Sequence, residues 1–102
     1  MRKANVYVQS RFAGVLEEIE KGKYSFAYDS HYLGSSVSLT MPQTKVPYTF
    51  DRFPPFFEGL LPEGNQLEAL LRREKIDRSD YFSQLLIVGS DLVGDVTVEE
   101  AK

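Results

Sequence analysis

His31 is the only histidine among 102 residues, and so the only side chain whose unperturbed pKa lets it exchange a proton near neutral pH. It lies in Asp29-Ser30-His31-Tyr32, a turn-like stretch where it reads as a solvated loop residue with no evident group to orient it for acid or base work. A Ser-His-Asp set assembles from distant positions, so spacing neither supports nor rules out one. Glu58 and Glu63 flank Gly59-Leu60-Leu61-Pro62. Two carboxylates can serve as acid and base, but acids near a helix start are favoured by the helix dipole and read first as surface residues. Gly89 and Gly94 bracket Ser90-Asp91-Leu92-Val93 in the manner of a phosphate loop. The lysine and hydroxyl that should follow the second glycine are missing, and a strand pattern follows where a helix is needed. The stretch reads as a tight turn into the last strand. With one imidazole, no cysteine and no aspartate-rich loop, the chain has no metal-ligand pattern, and no cofactor is expected.

Charge narrows the partners. The formal net charge is -3 and the isoelectric point is near 5.1, which offers no long-range attraction to phosphate backbones or anionic membranes. Arg72, Arg73, Lys75 and Arg78 cluster locally, but Glu74 and Asp77 interrupt them, the mark of a solvated, salt-bridged helix face. Tyr24, Phe26 and Tyr28 resemble a base-stacking platform in spacing alone; stripes of this kind are more often sheet core. A cysteine-free chain suits a reducing compartment. Its opening residues run into a strand pattern rather than an apolar signal core, which makes a cytoplasmic address the expectation.

The elements that would position these groups follow from periodicity. Length predicts one domain over residues 1–102, and 42% hydrophobic with 13% aromatic residues predicts a real core. Residues 6–8, 15–20, 24–28 and 37–41 carry β-rich or alternating patterns, separated by turn signals at 9–14 and 21–23, and predict a meander of about four strands. The second half changes to helical spacing. Pro62 suits a first helical turn, with Leu67, Leu70 and Leu71 three and four apart behind it. Ser79 is the expected N-cap of a second helix carrying Tyr81, Phe82, Leu85 and Leu86, which stops at Gly89. Residues 92–98 predict a final strand, with the last four residues fraying. The expected class is α+β: a small, mostly antiparallel sheet with two C-terminal-half helices on one face and a final strand.

Between the halves lies the segment 53–64, Phe-Pro-Pro-Phe-Phe-Glu-Gly-Leu-Leu-Pro-Glu-Gly. Its prolines fix φ and its glycines permit positive φ, so it is a restricted elbow rather than a flexible linker. Its five large apolar side chains must be buried either beneath the domain's own fold, as a lid in which Phe53, Phe56 and Leu60 cap the core, or against another protein.

Here the sequence resembles the N-terminal subdomain of the HipA family of serine/threonine kinase toxins. The resemblance is carried by Val6-Tyr7-Val8 with Gly14, the aromatic strand 24–28, Val37-Ser38-Leu39-Thr40-Met41-Pro42, and above all Pro55-Phe56-Phe57-Glu58-Gly59-Leu60-Leu61-Pro62-Glu63-Gly64. Leu85-Leu86, Gly89, Asp91, Gly94 and Val96 complete it. In such kinases this region precedes the ATP-binding lobes, whose catalytic aspartates, phosphate loop and magnesium ligands have no counterpart here, so the chain is expected not to be an enzyme. It looks like the separately encoded version of the subdomain, the HipS-like component of three-part HipBST toxin-antitoxin systems. That resemblance implies an antitoxin that binds a shortened HipA-like kinase, HipT, with a HipB-like DNA-binding protein as a further partner. An excised piece of a longer kinase and a repressor-complex subunit are the alternatives. The partner-binding residues implied are Phe56, Phe57, Leu60, Leu61, Glu63 and Asn65. Asn65 departs from the family, which commonly has a bulky aromatic after Pro-Glu-Gly. A smaller residue there implies less buried area and weaker inhibition.

Overall fold

The computed structural model describes residues 2–92 and 94–101. Five antiparallel strands form one open sheet in the order β4-β3-β2-β1-β5: β1 Arg2–Val8, β2 Arg11–Glu20, β3 Lys23–Tyr28, β4 Tyr48–Phe50 and β5 Val96–Glu100. Three helices complete it, α1 Pro55–Glu58, α2 Gly64–Glu74 and α3 Tyr81–Val88, with a 3-10 turn at Gly89–Asp91. This is the α+β class that the patterning implies.

Alternation sorts the sheet into two faces. Ala4, Val6 and Val8 of β1 lie level with Leu16 and Gly14 of β2 and with Val98 and Val96 of β5, and Leu16 in turn pairs with Phe26 of β3. These residues are buried, and Phe57, Phe82 and Leu85 join their core from the helical side. The other face keeps Phe12 and Ile19 partly exposed, with Tyr7 edge-on to Phe12 at 5.8 Å.

Several boundaries differ from the patterning. Residues 37–41 do not join the sheet; Ser38 and Met41 make only an isolated bridge, closed by a turn in which Met41 N–H donates to the Ser38 carbonyl at 3.1 Å. Two in-facing residues four apart had imitated a strand: Val37 and Met41 are buried while Leu39 between them is fully exposed. The fourth strand is instead β4, whose Tyr48 and Phe50 pair with Phe26 and Tyr24. The turn expected over 9–14 contracts to Gln9 and Ser10, both at positive φ, as a two-residue hairpin turn requires.

Glu99 and Glu100, expected to fray, pair with Asn5 and Ala4. The final strand starts at Val96 rather than at 92, and Val93 lies outside the described residues. The cap of α3 is Asp80, whose carboxylate accepts the Ser83 N–H at 3.2 Å, in place of the neighbouring Ser79. α3 gives way to the 3-10 turn at Gly89, and the residue there must be glycine for a tertiary reason: a Cβ would run into the Val98 carbonyl of β5.

Two polar devices fasten the helical layer. The Arg2 guanidinium grips both Glu18 carboxylate oxygens at 2.8 and 2.9 Å, donates to Ser83 Oγ at 2.7 Å and reaches Asp80 at 3.2 Å. It also lies 5.0 Å from the centre of the Phe82 ring, so one cation ties β1 and β2 to the start of α3. This network raises the Arg2 pKa, with the Glu18 hydrogen bond as its main cause, and Arg2 holds Glu18 below the ordinary carboxylate range. For Asp80, burial works upward, but the Ser83 hydroxyl and amide together with Arg2 outweigh it and leave the pKa lowered. Gln84 is buried and donates to the carbonyls of Asp77 and Arg78, which satisfies backbone acceptors in the turn before α3.

Candidate protein-binding surface

The elbow is one helical turn with extensions. Pro55 occupies the first position of α1, where its missing N–H costs nothing, and Glu58 N–H and Gly59 N–H donate to the carbonyls of Pro54 and Pro55 at 3.0 Å. Phe53, Phe57 and Leu61 recur every fourth residue and all face inward. Phe53 meets Tyr24 edge-on at 5.2 Å and Tyr81 at 5.7 Å, and Phe57 meets Phe26 at 5.9 Å. Beyond Pro62 the chain turns sharply. Glu63 is extended and Gly64 has φ 59°, a left-handed step that glycine takes without strain, before α2 departs.

This divides the six residues expected to bind a partner. Phe57 has no exposed surface and Leu61 is buried, so both support the elbow from within. Phe56 and Leu60 are half-buried against the core, while Glu63 and Asn65 stand exposed. Leu60, Leu61 and Glu63 share a groove of about 590 Å³ whose far side is formed by Gln66, Val88, Asp91 and Leu92. Phe56 faces a separate notch of about 230 Å³, shared with Thr40, Met41, Tyr48, Phe50, Pro54 and Pro55. Asn65, in the first turn of α2, lines neither.

The most exposed large apolar side chains among the described residues lie elsewhere, in a feature that sequence reasoning missed. Residues 29–47 form a long loop between β3 and β4 on which Leu33, Leu39 and Val46 are 90%, 100% and 71% exposed. The loop is nevertheless ordered by tyrosines. The Tyr28 hydroxyl accepts the Val37 N–H at 2.9 Å and donates to the Met41 carbonyl. The Tyr32 hydroxyl donates to the Ser35 carbonyl at 2.6 Å, and that of Tyr48 to the Pro42 carbonyl at 2.5 Å. Tyr32, Val37 and Met41 are buried. Irregular loops this long are uncommon in compact folds and are often functional; the strand-like alternation at 37–41 concealed it in the sequence.

Chemical alternatives find little geometry. His31 is exposed, and its Nδ1 lies 3.2 Å from the Ser30 hydroxyl; Asp29 spends its carboxylate on the His31 backbone N–H instead. Among the described residues no group of three or more acids and histidines converges as metal ligands, and no helix is long and apolar enough to cross a membrane. Arg78 pairs with Glu68 and Arg73 with Glu74, as expected for a solvated face.

Comparison with known proteins agrees with this architecture. The family model described as HipA N-terminal domain matches residues 4–99. The solved N-terminal domain of HipA toxin superposes with a TM-score of 0.78 at 28% identity, covering 100% of this chain and 94% of that one. An uncharacterized protein of Haemophilus influenzae is 33% identical over 102 residues, spanning all of this chain and 95% of its own length. Two proteins of Sinorhizobium fredii described as putative kinases, Y4mE and Y4dM, are 28% and 32% identical, but the chain spans only 23% and 24% of their lengths.

Proposed function

Because the chain belongs to the HipA N-terminal domain family, we propose that it acts as a single non-catalytic unit, an antitoxin that binds a HipA-like kinase of the HipT type in trans and holds it inactive. The observation that carries this reading is the elbow's geometry. Phe57 and Leu61 anchor it to the core, so that Phe56, Leu60, Glu63 and Asn65 are presented on a preordered surface. Ordering before contact lowers the entropy lost on binding. Leu60 supplies apolar area, and Glu63 and Asp91 line the same groove with no cation among its lining residues, which suits a basic side chain of the kinase. Docking inhibits only if it favours an inactive arrangement of the kinase, for example one whose phosphate-binding region cannot close. A HipB-like DNA-binding protein would complete the assembly, with operator contacts made by that partner.

Kinase autophosphorylation measured with and without this protein tests the reading. Saturating protein should suppress it, Leu60→Ala and Glu63→Ala should raise the concentration needed, and unchanged activity at saturation would remove the antitoxin role. A second reading has its own support in the two putative kinases, of which the chain spans about a quarter: the chain as the corresponding part of a longer kinase. The reading frame past Lys102 separates the two, since continuation into a kinase domain favours the second.

A further inference from the structure

We propose that the kinase-facing surface continues past Phe56 onto the 29–47 loop, and that the notch between them receives an uncharged apolar side chain of the kinase while Leu39 packs against the kinase beside it. This rests on the kinase-binding reading above, and adds a second contact that the family's elbow motif does not contain.

Continuity comes first. Phe56 and Pro55 of the elbow line the same notch as Thr40 and Met41 of the loop, so the loop turn 38–41 and the elbow form opposite walls of one feature. The notch holds about 230 Å³, room for a leucine- or phenylalanine-sized group, and none of its lining residues is charged. A charged side chain entering it would lose hydration without gaining a partner, which limits the occupant to an apolar one.

Exposure points the same way. Single exposed aliphatic residues are ordinary on protein surfaces, but here three project from one loop, and Leu39 at its turn is 100% exposed. The loop is not loose. Tyr28 holds both Val37 and Met41, on either side of Leu39, and the Ser38 hydroxyl accepts the Thr40 N–H at 3.1 Å. Leu39 is therefore held outward by its own turn. A rigidly displayed leucine beside an apolar notch has the character of a binding anchor with a receiving pocket. A second copy of this chain is the weaker occupant, because three aliphatic side chains and one small notch fall well short of the ~1,200 Å² that a stable interface buries. Joined to the elbow, the same residues extend a larger surface.

The experiment titrates a full-length HipA-like kinase that lacks this domain with the wild-type protein and with Leu39→Asp, Thr40→Glu, Thr40→Val and Ile19→Thr, reading dissociation constants by calorimetry and oligomeric state by light scattering. The expected result is at least tenfold weaker binding for Leu39→Asp and Thr40→Glu. Thr40→Val should bind like the wild type, as should Ile19→Thr on the open sheet face. Melting temperatures should be unchanged, and Thr40→Glu, on the notch wall itself, carries the test should Leu39→Asp prove unstable. If the wild type binds and inhibits while Leu39→Asp and Thr40→Glu bind equally well, the inference is overturned and the kinase reading survives. If Leu39→Asp instead abolishes a homodimer, the occupant is a second copy and the inference is again overturned. A wild type that ignores the kinase sinks both.

Discussion

The elbow 53–64 and the loop 29–47 both lie outside the strands of the sheet, yet they dispose of their apolar side chains in opposite directions. The elbow is dense in phenylalanine and leucine and hides most of it: Phe53, Phe57 and Leu61 fall every fourth residue and are buried, and Phe53 and Phe57 meet the aromatics of β3 and α3. The loop is mostly polar, and it exposes Leu33, Leu39 and Val46 because hydroxyl-to-backbone bonds from Tyr28, Tyr32 and Tyr48 decide its path. Apolar density along a chain therefore measures how much surface wants burial, not where the burial happens.

The largest effect that would sharpen this contrast is Phe57→Ala. It removes a side chain with no exposed surface and should cost about 3 to 5 kcal/mol in denaturant unfolding; a loss under about 1 kcal/mol would mean that the elbow is not core. Next comes Tyr28→Phe, which deletes the hydroxyl shared by Val37 N–H and the Met41 carbonyl. We expect a loss of about 1 to 2 kcal/mol, with hydrogen exchange at Val37 and Met41 accelerating more than in the sheet. Uniform acceleration would contradict local ordering of the loop.

Arg2→Ala probes the network that ties β1 and β2 to α3 and should cost about 1 to 2 kcal/mol, discounted because its partners are partly solvated. It also carries a pH signature. Glu18 and Asp80 have folded pKa values below their unfolded ones, so their contribution is complete above about pH 5 and is lost as pH falls below about 4 through the lowered values. Stability measured from pH 7 to pH 3 should fall less steeply in Arg2→Ala than in the wild type; parallel curves would remove Arg2 as the cause. The smallest effect is Leu39→Ser, expected within about 0.5 kcal/mol of wild type. A larger destabilisation would show that Leu39 is buried in solution and would erase the contrast.

Much of the architecture could be read along the chain. The alternation at 24–28 and the helical spacing at 81–86 survive, because each is a local pattern that one buried face enforces. The strand expected at 37–41 failed because Val37 and Met41 satisfy alternation as well as they satisfy a turn with both ends buried. The strand 48–50 was overlooked although Tyr-Thr-Phe after Pro47 is β-rich, since three residues carry little periodic weight. Within the expected site, the lid set expected to cap the core was Phe53, Phe56 and Leu60, whereas the structure buries Phe53, Phe57 and Leu61 and leaves Phe56 and Leu60 half-buried. Which set turned inward depended on where β3 and α3 would offer a facing surface.

The order of residues alone was sufficient for the α+β class and the family motif in the elbow, since these depend on local spacing and side-chain chemistry. Tertiary structure decided that β5 returns beside β1, that Phe57 is core rather than surface, and that Leu39 points to solvent. The physical reason is that burial belongs to pairs of surfaces. A chain states which side chains avoid water, but only the folded arrangement determines which of them find a partner within it and which remain facing outward.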